Sequence, residues 1–436
     1  MSENKLKSSI LLRMGIVAFL TLLLLIPTFI VESVIRERSE RRDSAIQEVS
    51  DKWGLPQTIT GPVLTIPIKH YYLDEKGKET AVFNYVHILP DSLTMSGVLS
   101  TETRSRGIYE AILYNSRLTI SGTFDTQNIS LLSMEGHTTL WEDAFFTVGI
   151  SDPRGIKNDV EMSVNGSGVR ANAGVPSTDV VSSGITFRPK IDKTVASYVF
   201  SFPLNLNGSS EIQFCPLGRR TSVDLTSSWP SPSFTGAFLP EKRILDDTGF
   251  SGSWTVLELN RNFPQFWMNK NQDVSGSAFG VKLLRSVDEY QKTIRTAKYA
   301  ILVISLTFLA FFLSEVLLRE LLHPVHYVLI GFSLVLFYLL VLALSEHVGF
   351  NAAYFSSAGA ILVLIGLYSR AIASQRRTSV VVVSVMAALY VFLYIVLENE
   401  DYALLIGSLG LLTIMAAVMY LTRKVDWYSV KGPTQV

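Results

Sequence analysis

The sequence predicts a membrane protein in which a mainly-β, sandwich-like aqueous domain is inserted between one N-terminal transmembrane helix and a C-terminal bundle of five. Three observations carry this. One apolar run, Ile10 to Val31, stands alone; no comparable run follows through 32–298; then five come almost without pause between Tyr299 and Leu421. A helix rises about 1.5 Å per residue, so roughly 20 apolar residues cross the hydrocarbon layer. The composition agrees, with 48% hydrophobic residues and a mean hydropathy of +0.30, too apolar for an ordinary soluble enzyme.

Ile10 to Val31 is too long for the core of a secretory signal, and no small-x-small site follows it, so it is read as a retained anchor. The five later runs fall at about 299–318, 325–345, 352–369, 378–397 and 402–421. Basic residues fix their direction, because short cytoplasmic loops carry Lys and Arg. Lys5, Lys7 and Arg13 precede or begin the first run, Arg370, Arg376 and Arg377 separate the fourth and fifth, and Arg423 and Lys424 follow the sixth. Glu346-His347 and Glu398-Asn399-Glu400-Asp401 lie on the opposite side. Residues 1–31 then comprise a cytoplasmic N-terminus and the first span, 32–298 an outer domain, 299–421 the bundle and 422–436 a cytoplasmic tail. Arg36, Arg38, Arg41 and Arg42 follow the first span on the outer side and conflict with this pattern; the five downstream spans outweigh them.

Within 32–298, Glu32 to Trp53 has apolar positions spaced for a helix continuing out of the membrane, with Gly54 and Pro56 to end it. Val281 to Lys298 has similar spacing and is read as a second helical stalk. Between them the pattern changes to period two, as in Val63 to Ile66, Ala81 to Ile88 and Ala196 to Phe200. Asp74 to Gly77, Asn165-Gly166 and Asn207-Gly208 are read as turns. Gly122-Thr123-Phe124, Gly236-Ala237-Phe238 and Gly252-Ser253-Trp254 form a loose recurrence open to two explanations, related β-modules or ordinary strand composition. Val175 to Gly184 and Ser227 to Ser233 are read as loops and as a candidate seam between halves.

Function is less legible. A net charge of zero points away from nucleic acid as a partner. The single cysteine, Cys215, cannot form an internal disulfide or a Cys-based metal cluster, and is read as a small buried residue. The phosphate-binding Gly-x-x-x-x-Gly-Lys, the Gly-x-Ser-x-Gly elbow and the His-Glu-x-x-His zinc helix are all missing from the sequence. No catalytic set, metal or cofactor is therefore assigned.

Three polar clusters remain. Glu315, Glu320, His323 and His326 surround the turn between the second and third spans. Loop capping and interfacial placement account for Glu320, His323 and Pro324, while Glu315, about 24 Å along its span and so near the inner interface, is open between a structural and a functional role. Glu346 and His347 lie at the outer end of the third span, about 31 Å along it from His326, too far for one metal site. Joined by Glu398, Glu400 or Asp401 they could hold a divalent cation, or simply form a solvated acidic rim. In the outer domain, Arg104 and Arg106 belong to Arg104-Ser105-Arg106-Gly107-Ile108-Tyr109. Asp152 and Arg154 belong to Asp152-Pro153-Arg154-Gly155, which has strong turn chemistry. These arginines suit either an anionic headgroup or an internal pair with Asp152.

Several strings together resemble the CreD family of bacterial inner-membrane proteins, described as cell envelope integrity proteins. They are Trp53-Gly54 with Gln57 and Gly61 to Leu64, Arg104 to Ala111 with Tyr114, and Phe146 to Ile156. In the bundle they are Leu306-Thr307-Phe308 with Glu315, His323 to Tyr327, and Phe337-Tyr338 with Ser345 to Phe350. The match runs from about Arg36 to Tyr368. It implies a Gram-negative inner membrane, a periplasmic outer domain, a part in the envelope stress response and expression under a CreBC-type two-component system. It brings no catalytic residues. The expected function is a multi-pass, non-enzymatic protein that maintains envelope integrity, its partners the lipid bilayer and envelope proteins or cell-wall components bound by the periplasmic domain. The alternative is a transporter or lipid-handling protein using ionisable residues of the bundle.

Overall fold

The computed structural model describes residues 10–73, 79–125, 137–269, 272–284, 289–318, 322–372, 376–399 and 401–423. The chain divides into two compact units, Ser44–Ser286 and the remainder, Met1–Asp43 with Val287–Val436.

The second unit is helical. Helices α1 (Ile10–Leu23) and α2 (Leu25–Trp53) follow almost without a break, and the stretch Leu12–Trp53 passes as one apolar-to-polar helix of 42 residues. After the β domain come α3 (Glu289–Lys298), α4 (Ala300–Leu318), α5 (Pro324–Val348), α6 (Phe350–Ile372), α7 (Arg376–Glu398) and α8 (Ala403–Thr422). Among the described residues, five helices are long and apolar enough to cross a membrane. The number becomes six if α3 and α4, bent by 43° at their junction, count as one span. The polar half of α2 is laced by ion pairs one turn apart, Glu32–Arg36 at 2.6 Å, Glu37–Arg41 at 2.6 Å and Glu48–Lys52 at 2.9 Å. Such pairs support the exposed, charged face of a helix whose other face buries Ile35. They also hold two of the four arginines that conflict with the charge pattern of the loops.

The expected second stalk is shorter than its spacing suggests. Val281 lies in strand β18 (Phe279–Leu283), paired with both neighbours, and only Glu289–Lys298 is helical. The apolar spacing of a buried strand and of a short helix had merged into one apparent period.

The β unit is a sandwich of two sheets. One has ten strands and runs β14 (Pro232–Gly236), β18, β12 (Glu211–Phe214), β1 (Gln57–Leu73), β6 (Phe145–Ile150), β10 (Gly184–Phe187) and β9 (Asn172–Ala173), with β2 (Glu79–Ile88), β5 (His137–Thr139) and β17 (Phe266–Met268) attached through β1. The other has eight strands, β15 (Lys242–Asp246), β16 (Gly249–Leu257), β13 (Arg220–Ser227), β3 (Ser92–Arg106), β4 (Tyr109–Asp125), β11 (Ser197–Ser209), β7 (Glu161–Val164) and β8 (Ser167–Arg170). Alternation through β13, and through β11 as far as Leu206, buries every second residue, while Asn207, Gly208 and Ser209 at the end of β11 are buried in a row. The inner faces meet through aromatic pairs that cross from sheet to sheet: Phe124 with Phe146 at 5.0 Å, Phe187 with Phe202 at 5.7 Å and Trp254 with Phe279 at 5.7 Å.

Every pairing in either sheet is antiparallel except β1 with β12 and β3 with β13. These two parallel pairs, together with the antiparallel pair β2 with β17, are where strands from before Ser210 meet strands from after it. The domain is thus two β-modules sharing two continuous sheets, and their seam is the tight connection at Ser210 (φ 59°), not the loops at 175–184 or 227–233. The Gly-x-aromatic strings place Phe124 and Trp254 in this core, one in each module.

Asn165-Gly166 is a two-residue hairpin turn between β7 and β8, with φ of 48° and 84° at its central residues. Asn207-Gly208 is not a turn; it lies inside β11, opposite Asn115 and Tyr114. Asp74 to Gly77 falls outside the described residues. Cys215 is buried, as its residue type suggests, accepts a hydrogen bond from Thr60 Oγ1 at 3.2 Å, and burial pushes its thiol up to about 11.

Trp254 is 2% exposed and packs between Phe234 and Phe279. Trp254→Ala should cost about 3–5 kcal/mol of domain stability. Denaturant unfolding of the full chain in detergent checks this; an unchanged midpoint would place the core elsewhere.

Candidate functional site

Where a helix gives way to a strand, its last carbonyls and the following amides need new partners. At the end of α2 the chain turns at Gly54 and Pro56 and enters β1 at Gln57. Asp152, in the turn after β6, supplies the acceptors: its Oδ2 takes the Leu55 amide at 3.0 Å, and its Oδ1 takes the Arg154 amide at 3.2 Å and Arg154 Nε at 2.8 Å. The buried Gln57 amide group donates to the Asp152 and Asn207 carbonyls, both at 3.0 Å, and accepts from the Asp152 amide at 3.3 Å. Trp53 Nε1 donates to the Tyr114 carbonyl at 3.1 Å, and Tyr114 Oη donates to the Glu211 carbonyl at 2.8 Å.

Glycines make the approach close enough. A Cβ on Gly54, whose φ is 151°, would meet the Asn207 carbonyl oxygen at 2.6 Å, and one on Gly155 would meet the same oxygen at 2.3 Å. The strings Trp53-Gly54 with Gln57, Asp152 to Gly155, Tyr114 and Asn207-Gly208 therefore converge on one hydrogen-bonded clasp that ties the helix end to both sheets.

The arginines gather round this clasp without forming one pocket. Arg104 lies over the Trp53 ring at 4.1 Å and pairs with Glu102 at 2.9 Å, Arg106 pairs with Glu48 at 2.9 Å, and Lys157 lies over Trp53 at 5.7 Å. Arg154 is held by Asp152. Each of the three arginines thus has a carboxylate, and together they place positive charge beside the C-terminal end of α2, where the helix dipole is negative. Burial raises the Asp152 carboxyl, but the Arg154 guanidinium and the Leu55 and Arg154 amides outweigh it and hold it below the usual range.

In the helical unit, Glu315 is the central group. It is 7% exposed on α4, takes the Arg13 guanidinium of α1, accepts Tyr327 Oη of α5 at 3.0 Å, and accepts the Leu322 amide at 3.1 Å. One buried carboxylate thereby joins the first span, two spans of the bundle and the turn between them. A guanidinium, a phenol and a backbone amide all donate to it, the condition under which a buried ion is tolerated. His323 caps α5, accepting the Val325 amide at 3.3 Å with Pro324 at the first helical position. His326 Nδ1 bonds Tyr368 Oη at 2.7 Å, linking α5 to α6. Glu320 lies outside the described residues.

At the other end of α5, Glu346 accepts Tyr290 Oη at 2.8 Å, and the Arg42 guanidinium lies over the Tyr290 ring at 5.1 Å. His347 is exposed. Glu398 pairs with Lys292 at 2.6 Å rather than with Glu346. Among the described residues no three His, Cys, Asp or Glu side chains are grouped to hold a metal ion.

Two groups escaped the sequence. Arg13 was read only as a topological charge, and nothing local marks it as the partner of a residue 302 positions away. His87 is buried on β2 between Thr65 Oγ1 at 3.0 Å and Asp179 Oδ2 at 3.2 Å, beside the Trp267 ring. Burial holds its pKa below the ordinary value, against the pull of Asp179. Thr65 and His87 are closed to solvent, so this is a hydrogen-bonded anchor for the 174–183 segment rather than an accessible nucleophile.

Comparison with known proteins gives a consistent answer. The sequence profile of the family described as "Inner membrane protein CreD" matches residues 9–428. A protein of that name from Escherichia coli (strain K12) is 33% identical over 436 residues, covering 98% of this chain and 96% of the relative.

His87 and the clasp carboxylate Asp152 set two separate pH windows. Protonating His87 in the folded state is disfavoured, so its contribution to stability is full above about pH 6.5 and is lost as pH falls below that. The depressed Asp152 carboxyl contributes fully above about pH 3.9 and is lost as pH falls through its lower folded value. Melting curves should show two declines, the first flattened by His87→Gln and the second by Asp152→Asn. In the bundle, Arg13→Leu should lower the melting temperature more than Arg13→Leu with Glu315→Leu, because only the single variant leaves a buried carboxylate without its cation. Equal losses would mean that the pair is not coupled.

Proposed function

The chain belongs to the CreD family of multi-pass inner-membrane proteins, and from that premise we propose that it is a non-enzymatic envelope maintenance factor. Its β-sandwich lies in the periplasm and binds a wall, lipid or protein partner during envelope stress. Its helices hold that domain at the inner membrane, with both termini in the cytoplasm. The observation that carries this reading is the clasp. A helix that begins as an apolar span ends with its last turn keyed into the sandwich through Trp53, Gly54, Gln57 and Asp152. A sandwich whose entering helix end is fastened by buried hydrogen bonds suits a protein whose working part is a stable binding domain. The engagement of Glu315 by Arg13, Tyr327 and the Leu322 amide supports the same view, since it gives that carboxylate a bundle-building role.

A second reading, a transporter or lipid-handling protein, has one observation in its favour. Thr307, Tyr338, Ser357 and Tyr390, one from each of α4 to α7, have buried hydroxyls with no hydrogen-bond partner in the structure. Unpaired hydroxyls in an apolar bundle cost about 1–3 kcal/mol each, and such groups suit the lining of a path for a polar passenger.

Photo-crosslinking from the sandwich surface in intact cells should recover a specific envelope partner, and recovering none counts against the first reading. Reporter fusions at Asn165 and Gln375 should report opposite compartments. Complementation of a deletion separates the two readings. If Glu315→Gln, His326→Ala and Glu346→Gln each restore function while loss of the sandwich abolishes it, transport is eliminated.

A further inference from the structure

Strand β15 closes one end of the eight-stranded sheet. On one side it pairs with β16, Lys242 opposite Ser253, Ile244 opposite Ser251 and Asp246 opposite Gly249. Among the described residues no strand pairs with its other side. All five of its residues are exposed, Ile244 by 66% and Leu245 by 49%. Such an edge offers a row of free amides and carbonyls, which proteins usually blunt with a proline, a bulge or charge. β15 contains no proline, and its register with β16 is unbroken. Its charges are also arranged unusually, Lys242-Arg243 at one end, Ile244-Leu245 in the middle and Asp246-Asp247 at the other.

We propose that this edge is where a second copy of the chain docks, by antiparallel strand pairing about a two-fold axis at Ile244. A two-fold axis relating neighbouring antiparallel strands stands normal to the sheet and leaves every side chain on its own face. Residues that oppose each other must therefore share the same alternation. The register centred on Ile244 meets this condition and is self-complementary. Ile244 faces Ile244 of the second copy, Lys242 faces Asp246, and Asp246 faces Lys242, all on one side of the sheet. Arg243 faces Leu245 on the other side.

The neighbouring allowed registers are worse. Centring on Arg243 sets two arginines against each other, and like charges opposite one another are destabilising; centring on Leu245 sets Ile244 against Asp246 and leaves Arg243 to face Asp247, which lies in the turn beyond the end of β15. The Asp246 carboxylate is already oriented by the Thr248 amide at 2.8 Å. One strand pair buries little area compared with a standard soluble interface. Confinement of both copies to one bilayer raises their effective concentration and offsets that deficit.

Opposed residues in an antiparallel pair have Cα atoms about 4.5–5.5 Å apart, within disulfide range. Ile244→Cys in the full chain, oxidised mildly in native membranes, should give a covalent dimer that reductant dissolves. Leu259→Cys, at a site 92% exposed, should stay monomeric. The natural Cys215 is buried and does not compete. Adding Lys242→Asp to Ile244→Cys should abolish the dimer band, and adding Asp246→Lys as well should restore it, since both ion pairs are rebuilt with reversed polarity. A dimer yield for Ile244→Cys no higher than for Leu259→Cys overturns the proposal. So does a failure of the double charge reversal to restore the band, or a crosslinked product whose mass shows a different protein on this edge.

Discussion

A backbone leaving a helix must hand its hydrogen bonds to something else, and in this protein that demand is met by one buried carboxylate and one buried amide. Asp152 accepts from Leu55 and Arg154, and Gln57 bridges Asp152 to Asn207. Both side chains are buried, so each bond that failed would leave a polar group in an apolar surround. The site has little tolerance in space either, because Gly54 and Gly155 both lie against the same Asn207 carbonyl. The fold of β1, the turn after β6 and the middle of β11 are mutually dependent at this point. Trp53, Arg104 and Lys157 cover the clasp from outside with an aromatic ring and two cations.

The helical unit solves a related problem with the same chemistry. Glu315 occupies a position where an unpaired carboxylate would be costly, and three donors from three segments surround it. His323 caps the following helix and His326 reaches Tyr368, so the short turn between α4 and α5 is fastened on each side. Ionisable side chains near the end of a span invite a functional reading, yet here Glu315, His323, His326 and Glu346 each have a structural partner. Among the described residues, the buried side-chain groups of the bundle that lack a partner are neutral hydroxyls, which charge-based searching of a sequence does not single out.

The sandwich has its own logic. Two modules share both sheets through the parallel pairs β1 with β12 and β3 with β13. Continuous sheets let aromatic residues from either module fill one core, as Phe124 and Trp254 do. The same continuity leaves sheet ends exposed, and β15 is the end whose side chains fit a copy of itself.

The sequence by itself determined what depends on local composition and period. Hydrophobic length located the apolar helices, alternation located β1, β2 and β11, and Asn165-Gly166 announced its hairpin because only a few residues accept positive φ at both positions. It also showed that Asp152-Pro153-Arg154-Gly155 is a turn with an internal ion pair as one of its readings. Only the tertiary structure decided which distant groups meet. Arg13 with Glu315, His87 with Asp179, and Gln57 with Asn207 are separated by 302, 92 and 150 positions, and no local pattern encodes a partner at that distance. For the same reason Asn207-Gly208 looked like a turn: the small residue was required by the Tyr114 ring packed against it, a contact that exists only once β4 and β11 are paired.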